Sequence, residues 1–228
     1  MKLTKIARCV LADVVALAGT IVLSYIFDAT EHIPLAVSLI QVLLLELAVL
    51  AAPIASLRLD HHKHKVRETR DAQVVFEIVA FGLLSAVLAY LNYRWFFARH
   101  DLSPAYIDTQ NILYKRATTV ALLTLALCQT ANLVFTRNDA EKEWSVKFLR
   151  GNAQLLQSWA VSIFLLLNII YNPVFQAVLQ TAALSFTDWL TAILLAAVYV
   201  GVKLFQRHTR EHTRHTVAKL HREADKTP

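Results

Sequence analysis

The sequence predicts an all-α, polytopic membrane protein: a bundle of six transmembrane helices with both termini on the cytoplasmic side. Three observations lead there. Hydrophobic residues make up 56% of the 228 residues and the mean hydropathy is +0.45, too apolar for a soluble domain of this length. Four glycines and five prolines leave little punctuation, so long unbroken elements are expected. Six stretches of roughly 20 mostly apolar residues, the length that crosses a bilayer core as a helix, follow one another along the chain. None alternates with period two, as the strands of a barrel would.

The first span, 7–27, follows a basic start (Lys2, Lys5, Arg8). A cleaved leader is the alternative, with Ala16-Leu17-Ala18 as its cleavage motif. Asp13 interrupts the apolar region such a leader needs, and the run continues to Phe27. The second span, 35–57, carries Glu46 near its middle and so tests the assignment. An acidic residue at mid-helix costs roughly 3 kcal/mol on insertion scales, and each Leu, Ile or Val returns about 0.3–0.6 kcal/mol. Thirteen such residues between Leu35 and Leu57 outweigh Glu46. The third and fourth spans are 74–93 and 117–136. The fifth, 153–171, ends at Tyr171, and the sixth, 187–206, opens near Trp189, where amphipathic rings are expected. Residues 1–206 thus form one membrane domain and 207–228 a basic cytoplasmic tail.

Charge sets the orientation. Nineteen of the twenty-three Lys and Arg residues fall on one side: those from Lys2 to Arg8, Arg58 to Arg70, Arg137 to Arg150 and Lys203 to Lys226. Arg94, Arg99, Lys115 and Arg116 fall on the other, and the positive-inside rule makes the richer side cytoplasmic. The expected location is the plasma membrane. Cys9 and Cys128 sit in apolar runs, which implies neither a disulfide framework nor a metal site.

Two histidine clusters resemble metal motifs without the setting for one. His61-His62-Lys63-His64 interleaves a cation among the imidazoles. His208-Thr209-Arg210-Glu211-His212 fits the H-x-x-E-H pattern of some zinc peptidases but lies in the basic tail. There, His208, Glu211, His212, His215 and Lys219 share one helical face, and the expectation is an amphipathic helix resting on anionic lipid. No glycine-rich phosphate loop and no nucleophile elbow exists. No catalytic residue, cofactor or metal is expected, and no nucleic acid as partner.

Polar groups inside a bilayer are expensive, so their default reading is functional. Glu46, Gln129 and Asp13 are the candidates for an intramembrane cation or proton site. Gln129 and Asn132 lie one turn apart on the fourth span, Asn168 lies on the fifth, and Glu77 stands near a cytoplasmic end. Pro53, seven residues after Glu46, frees backbone carbonyls near it. Interhelical hydrogen bonding is the plainer reading of the same residues.

From about residue 4 to residue 207 the chain resembles the last six transmembrane helices of P-type cation-transporting ATPases. The run Gln41-Val42-Leu43-Leu44-Leu45-Glu46 through Pro53 has the register of the family's sixth helix. Thr118-Thr119 through Cys128-Gln129-Thr130-Ala131-Asn132 resembles the eighth. Asn152, Leu155, Ser158, Ser162 and Ile170-Tyr171-Asn172-Pro173 resemble the ninth, and Asp188-Trp189-Leu190 the tenth. The resemblance implies ion ligands at Glu46, Val49 and Leu50, of which only Glu46 could ligate, and at Gln129, which is retained. The fifth helix's ligands would fall near Val14 and Leu17, beside Asp13. Calcium wants six to eight oxygens, more than these residues supply.

The aspartyl-phosphate motif D-K-T-G-T is missing. The resemblance therefore implies a stand-alone membrane domain, not an enzyme on its own, acting as a non-catalytic module or regulator linked to cation transport. The alternative is the membrane subunit of a split pump whose ATPase domains are on another chain. Ala48, Ala51, Ala52, Ala55 and Ser56 would offer missing helices a small-residue face. A third reading, an independent channel or secondary transporter, lacks the internal repeats such proteins often show. The expected partners are the lipid bilayer and either another membrane protein or the catalytic part of a pump.

Overall fold

Long apolar runs with few breakers fold here into long helices. The structure, a computed structural model, describes residues 5–28, 36, 41, 71–102, 107–137 and 153–224. All regular structure among them is α-helical: α1 (Lys5–Asp28), α2 (Asp71–Arg99), α3 (Ile112–Arg137), α4 (Ala153–Tyr171), α5 (Pro173–Leu179) and α6 (Phe186–Ala224). Of the second predicted span only Ala36 and Gln41 are described, so Glu46, Pro53 and the His61–His64 cluster lie outside the described residues.

Among the described residues, four helices are individually long and apolar enough to cross a membrane, over Ala7–Phe27, Val74–Arg99, Ile112–Thr136 and Phe186–Thr209. The fifth crossing is broken. After Tyr171 the chain turns by 79° into α5, because Pro173 has no N–H to continue the helix and its ring clashes with the preceding turn. Asn172 makes the new start, its side-chain oxygen accepting from Val174 N–H at 3.0 Å, with proline in the first helical position.

Small residues let α1 and α2 approach closely. A Cβ on Gly82 would meet Val15 Cβ at 2.7 Å and Ala12 O at 2.9 Å, and one on Gly19 would meet Ala86 Cβ at 2.9 Å. Farther along, the Phe27 and Tyr90 rings lie 6.0 Å apart. Residue numbers rise together along this contact, so α1 and α2 run parallel. Of the segment that joins them, only Ala36 and Gln41 are described. The same logic holds for α3 and α6, which meet at Arg116–Asp188 at one end and Asn132–Lys203 at the other. They too are parallel, and α4 is the return crossing. Asn92 bonding Thr124 at 2.8 Å, with Phe96 beside Arg116, makes α2 and α3 antiparallel.

The described residues supply up to five crossings, a six-helix bundle fits their arrangement, and the start of α1 and the end of α6 share one face, the cytoplasmic one by charge. In α3, the central helix, 83% of the most apolar stretch is buried, against 22% in α6. One feature departs from expectation. The tail does not form a separate surface helix: α6 runs unbroken for 39 residues, about 58 Å, to Ala224.

Candidate functional site

Helical spacing gathers polar groups in the inner third of the bundle. On α3, Gln129, Asn132 and Thr136 follow at intervals of three and four and share one face. On α6, Tyr199 and Lys203 are one turn apart. On α1, Cys9 and Asp13 are likewise one turn apart, and α2 contributes Phe81 and Ser85. Asp13, Gln129, Asn132, Cys9 and Tyr199 are all buried.

Lys203 organises this pocket. Its ammonium donates to Asn132 Oδ1 at 2.5 Å. It stands 4.3 Å from the centroid of the Phe81 ring, 5.6 Å from Phe135 and 5.7 Å from Tyr199. Cys9, against Thr136, lies within electrostatic reach of Lys203, Arg8 and Asp13, and Asp13 also reaches Tyr199. The pocket thus holds an acid and a base of the same chain. Lys203 lies about 9 Å inside the end of its membrane-crossing stretch at Thr209. A lysine there commonly extends toward the interface; this one turns into the bundle instead.

Sequence reasoning counted Lys203 among the cytoplasmic loop charges and so missed it. The signal was available: residue 203 lies inside the predicted span 187–206, one turn from Tyr199. Of the three candidates named from sequence, Glu46 falls outside the described residues. Asp13 and Gln129 are both 3% exposed and face the interior. Gln129 Nε2 has no hydrogen-bond partner among the described residues. Asn168 does not join them; its amide bonds Phe164 O of its own helix at 2.9 Å. No cluster of three or more metal-ligating side chains occurs among the described residues.

A second polar cluster closes the outer end. Asp188, fully buried, accepts from Arg99 at 2.6 Å, Arg116 at 2.6 Å, Ser185 N–H at 2.9 Å and Ser185 Oγ at 2.7 Å. Ser185 and Asp188 start α6 as a capping box does, with an acid at the third position reaching back to the preceding N–H. The arginines bring in α2 and α3, and both guanidinium groups lie within 6 Å of the Phe96 ring centre, at 5.7 and 5.8 Å. Two of the four outer basic residues are therefore structural. Beneath them Gln41, 1% exposed, donates to Thr118 Oγ1 at 3.2 Å and to Gln180 O at 3.3 Å. Thr119 Oγ1 accepts from Ala182 N–H at 3.0 Å, which ties the bend after α5 to α3.

Comparison with known proteins gives two matches. Residues 34–207 match the family model described as cation transporting ATPase, C-terminus. Over 186 residues the chain is 25% identical to a protein of Bacillus subtilis (strain 168) named calcium-transporting ATPase. That alignment covers 78% of this chain and 20% of the relative, so the chain spans about a fifth of that protein's length.

Proposed function

The chain belongs to the family of cation-transporting ATPase C-terminal membrane domains, and from that premise we propose that it works as a non-catalytic module that binds or regulates a partner in cation transport. The observation that carries this reading is Lys203. A cation entering this polar cluster meets Lys203 already seated against Asn132 and three aromatic rings. Like charges close together in a poorly screened interior repel by several kcal/mol. The pocket is built to keep a cation, not to exchange one. Val49 and Leu50, at positions where the resemblance expects ligands, support the same conclusion. On this reading the chain neither hydrolyses ATP nor moves an ion by itself, and its partner is another integral membrane protein.

The membrane subunit of a split pump is the second reading. The buried Gln129 amide, at a position where the resemblance expects an ion ligand, favours it. The relative's name makes calcium the first ion to try.

Gentle detergent extraction from native membranes, purification through this chain and identification of co-purifying proteins distinguish the two. The module reading expects a membrane partner without a phosphorylation domain. A stoichiometric partner bearing phosphorylation and nucleotide domains would establish the split pump. Glu46→Ala in the reconstituted complex then decides whether that residue lies on the ion path.

A further inference from the structure

The surroundings of Lys203 form a receptor for an ammonium ion. Three aromatic faces, Phe81 on α2, Phe135 on α3 and Tyr199 on α6, lie 4.3, 5.6 and 5.7 Å from its nitrogen. Ring faces carry the negative end of the quadrupole and attract desolvated cations, and such cages are how proteins bind free ammonium ligands. On another side Asn132 Oδ1 accepts an N–H, which a quaternary ammonium cannot offer. Three rings and one amide oxygen specify a small primary ammonium.

We propose that Phe81, Phe135, Tyr199 and Asn132 form an ammonium-binding site, occupied in cis by Lys203, that takes a free primary alkylammonium when the lysine is removed or withdrawn. This deepens the reading of Lys203 as a resident cation. Its test measures binding to the cage alone, and so it fails independently of any partner assay. The element carrying the plug is suited to moving it. α6 continues past the membrane as one helix to Ala224, so an axial shift imposed on that extension is transmitted to Lys203.

Truncating lysine at Cβ deletes three methylenes and the ammonium, the outline of n-propylammonium. Full-length Lys203→Ala, purified in nanodiscs, is titrated with n-propylammonium chloride while the thermal unfolding midpoint is followed. The midpoint of the variant is expected to rise by about 3–5 °C at ten times the ligand's Kd, with wild type unmoved. Tetramethylammonium, sodium and 1-propanol at equal concentration leave it unchanged. Lys203→Met, which fills the cage with an uncharged chain, does not respond. An equal rise in wild type, or no rise in the alanine variant, overturns the proposal. If Lys203→Ala cannot be recovered, amine acylation of the intact chain, read by mass spectrometry, takes its place. Lys203 is expected to react several-fold more slowly than Lys219, and Phe81→Leu to raise its rate several-fold. Equal reactivity of the two lysines in wild type refutes the site.

Discussion

Buried polar side chains among the described residues divide into those with matched partners and a few without, Gln129 among them. Asp188 has five hydrogen-bond contacts from three residues and no exposed surface, while its arginines are 27% and 26% exposed. Asp188→Asn leaves two guanidinium groups facing a neutral amide. Breaking a buried pair by removing one partner costs about 3–5 kcal/mol, and partial exposure of the arginines reduces this to about 2–4 kcal/mol. The thermal midpoint in detergent should fall accordingly, by several degrees. Gln129 is the opposite case. Its buried Nε2 has no partner among the described residues, and an unsatisfied buried polar group costs about 1–3 kcal/mol. Gln129→Leu is therefore expected to be neutral or to stabilise by up to about 2 kcal/mol, without altering partner binding. A large loss of partner function would assign the amide a ligand role. Sequence reasoning selected Asp13 and Gln129 because acids and amides stand out in apolar runs. It passed over Asp188 and Lys203 because they lie near span ends, where a charge is assumed to be solvated. Spacing placed Lys203 inside the predicted span, one turn from Tyr199, but which way such a side chain turns depends on neighbouring helices.

At the scale of elements, packing and backbone chemistry explain both what was legible and what was not. The α1–α2 contact depends on hydrogen in place of a side chain at Gly82. Gly82→Leu forces the pair apart, and overpacking of this kind costs typically 1–3 kcal/mol. At Gly201, on α6, nothing among the described residues lies within 4 Å of where a side chain would start. Gly201→Ala should stabilise by about 0.5–1 kcal/mol, the helix-propensity difference. Paired unfolding curves check both signs at once. The spans were readable as apolar length, and the break at Asn172-Pro173 as proline chemistry. The continuation of α6 was readable too: between Gly201 and Pro228 no glycine or proline interrupts the chain. It was missed because the change from apolar to basic composition was taken as an end of the helix. Composition marks where a helix leaves the membrane, whereas breakers mark where it stops.

For the whole molecule, parallel packing carries the topology. α1 with α2, and α3 with α6, run in the same direction, and α4 is the return crossing within the second pair. A six-helix bundle fits this order, with the start of α1 and the end of α6 on one face, in agreement with charge counting. The family match over residues 34–207 takes in α2 to α5 and α6 as far as Arg207, and leaves α1 before it. On the reading proposed above, Lys203, seated against Asn132 and three aromatic rings, is a resident cation in place of an exchangeable one, and this is the central claim. Equilibrium binding of radiolabelled calcium to the purified full-length chain in nanodiscs tests it most directly. No saturable binding is expected for wild type. Stoichiometric, saturable binding that Glu46→Gln or Asp13→Asn abolishes would contradict it.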